Sequence, residues 1–596
     1  MLTSISLTRI TLRRLIAAAA VLHVCLAVAL FVAGRSAVAP AIVDRDGIVG
    51  SFAFDSYDYQ RGATDVAALI RSGQIRAAAT AAQPLHVKMI AVCFALLSPL
   101  LGYSTLSAEP YNLACYLAII AIVFAFAREL RDERAGVLAA AVVALWPTFL
   151  LHTLQLLKDA FFIAAALAFL LCAVTLLTRT YRQTMAVSVS TVAIVLVLLL
   201  TLVRFSFVLL MIAVALLTLA LLILRQVRER RLLFWNMAPA LVVLLIALAL
   251  LPLHSPHNIQ RTKQFLPAQA GPLKNTGDPA MQVTTLVTWV AGNELNHTAA
   301  KTSSSRSDRF VRGISRMRSR FAAVYFESGS LVDKDTEFRN AGDLIRYVPR
   351  AMAIGLWAPF PQMWLSPGRR VGNLGKLLAG VETFFIYFLE LLSVVALVRE
   401  PRQVALWFVL AIIVFGVTAL AFVIPNVGAI YRFRYLFWML LIVAAMTGLT
   451  ALLARQRQGK TFKRLLVATS IAVLLAPVFG CSSLGQSPQS QAITADQVIP
   501  HFAFTNFTGT SFRALYLSPT TATGWQENVL AGTELKDGDT LDVQVDPNGK
   551  QVEWDLKVEG IDGHYAEWKN LKLDGASEIT LVWKLSSTPV VVAEVE

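Results

Sequence analysis

Charged residues are scarce in this chain, and their scarcity indicates the solvent for which it is built. Only 15% of its 596 residues are charged, 56% are hydrophobic, and the mean hydropathy is +0.61. A chain of this composition cannot bury its apolar surface in one water-soluble core. The composition therefore predicts a polytopic membrane protein.

Cysteines are few, and acidic residues are fewer than basic ones. Four of the five cysteines lie in apolar segments, where a thiol behaves as a small hydrophobic group and indicates no disulfide framework. The 53 basic residues exceed the 38 acidic ones and give a net charge of +15. Much of that excess lies in loops predicted to be cytoplasmic, so it requires no nucleic-acid partner. The four cysteines are Cys25, Cys93, Cys115 and Cys172.

Long apolar runs recur along the chain up to about residue 480. A run of roughly 18 or more apolar residues crosses about 30 Å of hydrocarbon as a helix. The runs predict ten membrane helices, and a further apolar segment at 465–480 allows an eleventh. The ten helices are predicted near 15–34, 109–127, 135–153, 160–178, 185–203, 205–224, 232–252, 375–398, 404–424 and 435–454.

The short apolar stretch 86–102 determines the orientation of everything that follows it. If this stretch is a re-entrant or interfacial helix, the basic loops all fall on one side, which the positive-inside rule identifies as the cytoplasm. We therefore predict a cytoplasmic N-terminus and extracytoplasmic loops at 35–108 and 253–374. The basic loops contain Arg9, Arg13, Arg14, Arg128, Arg131, Arg134, Arg179, Arg182, the run 225–231, Arg399, Arg402 and the run 455–464.

This topology gathers acidic and basic side chains on the extracytoplasmic side. They come from the first loop, from two short turns between spans, and from the segment "PNVGAIYRFRY" before the last span. Carboxylates and arginines concentrated at one face favour chemistry at the membrane surface over transport through the bilayer. The residues are Asp55, Asp58, Lys158, Asp159, Arg204, Arg432 and Arg434.

The order of these features resembles the GT-C class of membrane glycosyltransferases, which includes the protein O-mannosyltransferases and the lipid A aminoarabinose transferase. In that class an acidic motif follows the first span, a second acidic residue precedes a later span, and a large loop follows the seventh. Here "DSYDYQRGA" follows the first span, and "ARELRDERAGVLAAAVVALWPTFLLHTLQLLKD" resembles the stretch ending in the second acidic residue. The segment "QPLHVKMIAVCFALLSPLLGYS" resembles the proline-led juxtamembrane helix of the class.

The resemblance covers roughly residues 1 to 455 and departs from the class at one point. The stretches "ESGSLVDKD", "DLIRYVPRAMAIGLWAPFPQMW" and "NVGAIYRFRY" are similar to those of bacterial polysaccharide-associated members. Many relatives carry adjacent acidic residues after the first span, whereas Ser56 follows Asp55 here. That departure leaves Asp58 as an alternative for the role of Asp55. The resemblance implies transfer of a sugar from a polyprenyl-phosphate donor.

The chemistry of such a transfer calls for a base and for cations. A carboxylate near the membrane surface can deprotonate the acceptor hydroxyl, and Asp55 is the predicted base. The leaving lipid phosphate needs cations, and the planar fork of arginine binds phosphate better than a point charge does. Asp159 either orients the acceptor, positions Lys158, or joins Asp55 around a divalent ion. The predicted phosphate ligands are Lys158, Arg204, Arg432 and Arg434.

Each of these residues also has a structural explanation. Asp159 opens a predicted helix and is placed to act as an N-cap. The arginines can extend to the interface as membrane anchors. Glu382 lies within a predicted span near its outer end, where an ionisable residue is costly, so we predict it as an acidic partner of the site.

Two further groups of residues suggest metal ions. His254 and His257 flank a proline in "HSPHN" and form either a metal pair or two unligated loop histidines. Asp537, Asp539 and Asp546 lie near turns of the C-terminal region and are either Ca²⁺ ligands or solvated turn residues. The sequence leaves the need for a divalent metal ion open.

The composition changes after residue 480. A polar linker at 481–499 precedes short alternating segments separated by turn residues such as "DPNG", which predict a small β-sandwich at 500–596. This region resembles a family of small secreted bacterial domains of unknown function, although it lacks their cysteines. The domain boundaries are therefore 1–455 for the membrane domain, 456–480 for a cytoplasmic loop and an apolar segment, 481–499 and 500–596.

Cys481 ends a segment with the layout of a bacterial lipoprotein signal. "KTFKRLLVATSIAVLLAPVFGCSS" has a basic start, an apolar core and a small residue before the cysteine. Phe479 is bulky for its position, so an uncleaved eleventh span is the alternative. Lipidation of Cys481 with cleavage of the bond before it would release the β-sandwich as a separate lipoprotein, and both alternatives put that domain outside.

We therefore predict a multi-pass glycosyltransferase of a bacterial inner membrane, acting at its periplasmic face. Its predicted partners are a polyprenyl-phosphate sugar donor, a glycan, lipid or protein acceptor, and membrane lipids. A transporter of lipid-linked sugars and a polymerase of polysaccharide repeat units are the alternatives.

Overall fold

The structure is a computed structural model in which two compact units are described. It describes residues 2–251, 306–456 and 501–595. One unit contains 2–251, 310–334 and 338–456, and the other consists mainly of 501–595. Within these ranges the undescribed residues are 39, 41, 51–52, 54, 82, 205–206, 325–329, 335, 365–371, 508–510, 521–523, 526–527, 531–533, 537–539, 545–552, 562–564, 573–577 and 586–588.

The first unit is built of helices. Most are continuous apolar segments, as expected where backbone groups must be satisfied within each helix. The helices are α1 Leu2–Arg35, α2 Asp55–Arg71, α3 Ile75–Thr80, α4 Leu85–Leu101, α5 Glu109–Leu130, α6 Glu133–Ala144, α7 Pro147–Thr153, α8 Asp159–Thr178, α9 Gln183–Val203, α10 Val208–Glu229, α11 Phe234–Leu250, α12 Arg306–Val324, α13 Ala341–Trp357, α14 Pro361–Trp364, α15 Gly372–Arg399, α16 Val404–Val423, α17 Val427–Phe433 and α18 Tyr435–Gln456.

The predicted membrane helices are confirmed as apolar helices. Among the described residues, eight helices are long and apolar enough to cross a membrane, or nine if α6 and α7 form one broken span. That pair, predicted as one helix over 135–153, bends by 69°. Pro147 lacks the N–H that would continue α6, so a new helix begins there. The predicted helix 232–252 is the shorter α11, and the stretch 86–102 is α4.

Helix α18 lies at the centre of this unit. Of its most apolar window, 89% is buried inside the protein, whereas α1 and α9 bury 17% and 22%. Gly448 of α18 approaches α15 so closely that a Cβ there would lie 2.1 Å from the carbonyl oxygen of Leu392. Small residues at helix contacts permit such close packing in membrane proteins. The buried helix α18 therefore provides a fixed support for the short helix α17 that precedes it.

The segment before α17 is held by a strand-like contact with residues 330–333. The N–H of Val332 donates to the carbonyl of Pro425 (2.8 Å), and that of Val427 donates to Ser330 (3.0 Å). Arg318, whose side chain is buried, donates to the carbonyls of Val332 and Asp333, at 3.2 and 3.0 Å. These bonds fix the N-terminal approach to α17.

A partly buried ion pair anchors the same segment to α13. The Asp333 carboxylate accepts two hydrogen bonds from Arg350, at 2.9 and 3.0 Å, and one from Tyr347 at 2.9 Å. Burial opposes ionisation of Asp333, but the hydrogen bonds and charge of Arg350 outweigh it and lower the pKa of that carboxyl. The pair is a structural anchor for the loop.

The second unit confirms a β-rich C-terminal region. Seven strands form a four-stranded sheet in the order β3-β1-β6-β7 and a three-stranded sheet in the order β2-β4-β5. All pairs are antiparallel except β1 with β6. The strands are β1 His501–Phe507, β2 Phe512–Pro519, β3 Thr540–Gln544, β4 Glu553–Gly560, β5 Tyr565–Lys572, β6 Glu578–Leu585 and β7 Pro589–Val595.

Several sequence-based predictions lie outside the described residues. They include the apolar segment 465–480, predicted as a signal or an eleventh span, the lipidation of Cys481, and the linker at 481–499. The two suggested metal sites lie outside as well. Their residues are His254, His257, Asp537, Asp539 and Asp546.

Candidate functional site

The predicted charged residues meet at one end of the helical unit. Asp55 is the first residue of α2 and Asp159 is the first residue of α8, whereas Arg204 directly follows the last residue of α9. Arg432 lies in α17. The chain therefore brings four elements that are distant in sequence to one place.

Arg432 is the centre of this cluster. Its Nη2 lies 2.8 Å from Oδ2 of Asp55 and 2.7 Å from Oδ2 of Asp159, and its Nε donates to the same Asp159 oxygen at 2.8 Å. Burial opposes the charge of Arg432, but the two carboxylates outweigh it and raise the pKa of the guanidinium. Arg432 is thus a permanent cation that joins α2 to α8.

Arg204 supplies a second cation on the other side of Asp159. Its Nη2 donates to Oδ1 of Asp159 at 3.0 Å. The guanidinium lies 4.8 Å from the ring centroids of both Phe162 and Phe433. Two aromatic rings hold a planar cation in place through cation–π contacts, which limits the directions that Arg204 can adopt.

Asp159 is almost fully enclosed by nitrogen groups. Its side chain is 5% exposed and receives Arg432 on one oxygen and Arg204 on the other. Nε2 of His152, which is fully buried, lies 3.4 Å from Oδ2 of Asp159. A carboxylate so surrounded is poorly placed to meet a substrate, and it orients the two arginines instead.

Asp55 has a different environment. Its side chain is 46% exposed, and only its Oδ2 is engaged, by Arg432. No described residue donates a hydrogen bond to Oδ1 of Asp55. The open oxygen is therefore the one carboxylate oxygen of this cluster that can receive a proton from a substrate. Asp58, one turn further along α2, is exposed and forms no ion pair with a described residue.

Lys158 adds a cation that has no partner in the described part of the chain. It precedes Asp159 directly, and its ammonium forms no hydrogen bond or ion pair with a described residue. Burial, and then the charge of Arg204, lower the pKa of its ammonium, while Asp159 and Asp55 act in the opposite direction. With Arg204 and Arg432, three cations face two carboxylates, which leaves one positive charge in surplus.

Tyr59 is a polar residue of this site that sequence reasoning did not select. Burial raises the pKa of its phenol, and the charges of Asp55 and Asp159 raise it further against the opposing arginines. The hydroxyl stays protonated and makes no hydrogen bond with a described residue. His86 packs edge-on against the Tyr59 ring at 4.6 Å, and neither of its buried ring nitrogens has a partner. The signal for Tyr59 was its position one helical turn after Asp55.

Arg434 is not part of the cluster. Its side chain is buried, and it donates to the carbonyls of Gly355 (2.7 Å), Leu356 (3.4 Å) and Ala358. These carbonyls lie at the C-terminal end of α13, where helix carbonyls lack partners within the helix. Arg434 caps α13, and the structure does not bring it to Asp55 or Asp159.

Glu382 is linked to the cluster through Tyr431, the residue before Arg432, but it does not contact the arginines of the cluster. The buried carboxylate accepts hydrogen bonds from the Trp146 indole (2.9 Å), the Thr148 N–H (2.9 Å) and the Tyr431 hydroxyl. Trp146 and Thr148 lie at the bend between α6 and α7, and Tyr431 precedes Arg432. Glu382 thus ties α17 to the bend and positions Arg432 indirectly.

The carboxylates do not make a metal site of the kind the sequence suggested. Within the described ranges no group of three His, Cys, Asp or Glu side chains is placed to hold a metal ion. The guanidinium of Arg432 lies between Asp55 and Asp159, where a shared ion would have to sit. The donor set therefore does not fit a divalent ion bridging these two residues.

Comparisons with known proteins give one distant structural likeness. No family model matches the sequence, and no curated protein matches it. Among solved structures, the chain is similar to the archaeal oligosaccharyltransferase AglB from Archaeoglobus fulgidus, determined with an inhibitory peptide and a dolichol-phosphate. The sequence identity is 12% and the TM-score 0.30, over 67% of this chain and 47% of that one. A likeness this weak transfers no activity.

Proposed function

We propose that this protein is a membrane glycosyltransferase that moves a sugar from a polyprenyl-phosphate donor to a hydroxyl of a glycan, lipid or protein acceptor. The observation that carries the proposal is the cluster of Asp55, Arg432, Asp159, Arg204 and Lys158 at one end of an apolar helical unit. The cluster has one open carboxylate oxygen and one surplus cation. Those are the two requirements of a transfer that begins with a hydroxyl and ends with a phosphate leaving group.

The base of the reaction is Asp55. Its free Oδ1 removes the proton of the acceptor hydroxyl as the acceptor oxygen attacks the anomeric carbon of the donor sugar. The bond between that carbon and the phosphate oxygen breaks at the same time, and the polyprenyl phosphate leaves with the electron pair. Arg432 fixes the orientation of Asp55, since it holds the other carboxylate oxygen at 2.8 Å.

The phosphate is bound by cations that Asp159 orients. Arg204 and Arg432 each donate some of their guanidinium N–H groups to Asp159 and retain further N–H donors for the phosphate. Lys158 supplies the surplus charge, which offsets the additional negative charge of the leaving phosphate. The protonated hydroxyl of Tyr59 donates a further hydrogen bond to the donor. No step is assigned to a metal ion.

The site belongs at the periplasmic face of a bacterial inner membrane in this proposal. The positive-inside rule puts the opposite end of the helices in the cytoplasm, since the basic loops lie there. Polyprenyl-phosphate sugars present their phosphate at the membrane surface, where the cluster lies at the ends of α8 and α9.

The test measures formation of a glycosidic bond. Membrane vesicles containing the protein are incubated with polyprenyl phosphates that carry ¹⁴C-labelled hexoses, and label is followed into the glycan, lipid and protein fractions. Asp55→Asn keeps the shape of the side chain but removes the proton acceptor, so transfer should fall about 100-fold or more. Asp65→Asn, an exposed carboxylate of the same helix, is the matched control and should stay within about twofold of wild type.

The outcomes separate the alternatives. Loss of transfer in Asp58→Asn with retention in Asp55→Asn would assign the base to Asp58. Movement of intact labelled donor across the vesicle membrane, with no labelled product, would replace the enzyme by a transporter. Equal transfer in wild type, Asp55→Asn and Asp58→Asn would overturn the proposed mechanism.

A further inference from the structure

The three-stranded sheet of the C-terminal unit carries a row of polar and aromatic side chains on one face. Tyr516 of β2 lies opposite Lys557 of β4, and Lys557 lies opposite Glu567 of β5. Side chains alternate between the two faces of a strand. The alternating neighbours Leu556 and Val558 are buried, so the row around Lys557 faces outwards.

Aromatic rings cluster around this row. Nζ of Lys557 lies 4.3 Å from the ring centroid of Tyr565, 5.9 Å from that of Trp525 and 6.0 Å from that of Tyr516. The rings of Tyr516 and Trp525 are 6.4 Å apart. We call Tyr516, Trp525, Tyr565, Lys557 and Glu567 the aromatic patch.

Residues 528 and 529, which follow Trp525 in the chain, are hydrogen-bonded to β2. The N–H of Val529 donates to the carbonyl of Leu515 at 2.8 Å. The side chain of Asn528 accepts from the N–H of Leu515 at 3.0 Å and from that of Leu530 at 3.0 Å. The other four residues of the aromatic patch lie on the paired strands β2, β4 and β5, so the sheet fixes them before any ligand arrives, which reduces the entropy cost of binding.

Two of the three rings of the aromatic patch are exposed although they are large, and the third, Tyr516, is partly buried. Tyr565 is 63% exposed and Trp525 is 36% exposed. Exposed aromatic groups that are held in a cluster indicate a binding surface more often than a single exposed side chain does. Their π-faces offer apolar contact, and the phenol hydroxyls, the indole N–H, the ammonium and the carboxylate around them offer hydrogen bonds.

Charge decides which class of ligand fits. Residues 501–596 contain seven basic and fifteen acidic residues, a net charge of −8. Such a domain repels nucleic acids, anionic lipid surfaces and acidic glycans. Within the aromatic patch the one cation, Lys557, lies 3.5 Å from the carboxylate of Glu567, so the patch is balanced. A neutral ligand with an apolar face and many hydroxyl groups meets both conditions.

We propose that the aromatic patch binds a neutral oligosaccharide. A pyranose ring presents C–H bonds on its face and hydroxyls around its rim, so its face stacks on Trp525 and Tyr565 while Lys557 and Glu567 bond its hydroxyls. The inference stands apart from the proposed transfer reaction, because it uses none of the residues at Asp55 and Asp159.

The experiment titrates the full-length protein in lipid nanodiscs with neutral hexasaccharides. Nanodiscs are required because glycoside detergents would compete for the site. The probes are maltohexaose, cellohexaose, mannohexaose and chitohexaose, and binding is measured by isothermal titration calorimetry. At least one probe should bind with a Kd below about 1 mM, and Trp525→Ala and Tyr565→Ala should each weaken it about tenfold or more.

Two controls make the result specific. Ile561→Ala removes a similarly exposed apolar side chain, 59% exposed, that has no π-face, and should change Kd by less than about twofold. Asp55→Asn should leave oligosaccharide binding unchanged, which separates this inference from the proposed reaction. Melting temperatures equal to wild type confirm that the variants are folded.

Three outcomes would overturn the inference. The first is absence of binding for all four probes at about 10 mM. The second is binding that Trp525→Ala and Tyr565→Ala leave unchanged, which would place the oligosaccharide elsewhere on the protein. The third is binding of a lysine-rich peptide, lost in the same variants, with no oligosaccharide binding, which would assign the aromatic patch to a protein partner.

Discussion

Two regions of the helical unit hold buried or partly buried arginines and use them in opposite ways. Around Arg432 the partners are carboxylates, one of them 46% exposed, and a neighbouring lysine has no partner among the described residues. Around Arg434 and Arg318 the partners are mostly main-chain carbonyls. In the first region one cation remains unpaired among the described residues. In the second, the guanidinium groups are engaged in hydrogen bonds that stabilise the backbone. The number of arginines is therefore a poor guide to function, and the identity of their acceptors is a better one.

The first way to test this comparison is to remove the arginine of the structural region. Arg434→Ala leaves three carbonyls at the end of α13 without a donor in a buried site, which should lower the free energy of unfolding by about 3 kcal/mol or more. Thermal denaturation in nanodiscs measures the loss. The apparent KM of the folded fraction for the lipid donor should equal that of wild type, and a raised KM would return Arg434 to the binding site.

Much of the helical architecture follows from the sequence. The ten predicted spans coincide with apolar helices because a run of about 20 apolar residues has few other stable structures in lipid. The bend at Trp146 and Pro147 was not predicted, since the proline lay inside a continuous apolar run. The prediction that 86–102 does not cross the membrane rests on the charge of the loops. In the structure this stretch is α4, a helix of 17 residues.

The site was predicted in part, and its errors have geometric causes. Asp55, Asp159, Arg204 and Arg432 were selected by position along the chain, and the structure brings all four together. Arg434 was grouped with Arg432, yet two positions along a helix differ by about 200° in direction, so the two side chains diverge. The role of Glu382 as an acceptor for three residues, two at the bend between α6 and α7 and one in α17, could not be predicted, because no local pattern identifies distant partners.

A second test loosens the connection between the two regions. Glu382→Gln replaces a buried oxygen acceptor by an amide N–H₂, which faces the Trp146 and Tyr431 donors, so about 2 kcal/mol of stability should be lost. Because Tyr431 precedes Arg432, the apparent KM for the donor should rise as well. Stability and KM are measured on the same preparation. Thr383→Val, which alters a neighbouring buried hydroxyl bonded within its own helix, is the control and should leave KM unchanged.

A third test retains the charge of the open region and changes its geometry. Arg432→Lys keeps a cation but cannot reach Asp55 and Asp159 with separate N–H groups, so the apparent KM for the donor should rise about tenfold, or about 1.4 kcal/mol. Arg434→Lys should leave KM unchanged. Initial rates over a series of donor concentrations measure both. Equal KM values for the two variants would remove the distinction between the regions.

The last test concerns Lys158, whose expected effect is the smallest and depends on pH. Since burial lowers the pKa of its ammonium, Lys158 should lose its proton at a pH below the ordinary lysine value of 10.5. The surplus charge of the site disappears with that proton, so the donor KM of wild type should rise with pH by a few fold, while Arg432 keeps its charge because its pKa is raised. Lys158→Met should show the raised KM at every pH.

The charge-retaining variant decides between charge and shape. Lys158→Arg stays protonated throughout the alkaline range, so its KM should no longer rise with pH. Lys88→Met, which changes a lysine of α4 that donates to the carbonyl of Ala79 and forms no ion pair with Asp55 or Asp159, should follow the wild-type profile. A profile that rises equally in wild type and in Lys158→Arg would assign the pH dependence to another group, and would mean that the surplus cation does not bind the donor phosphate.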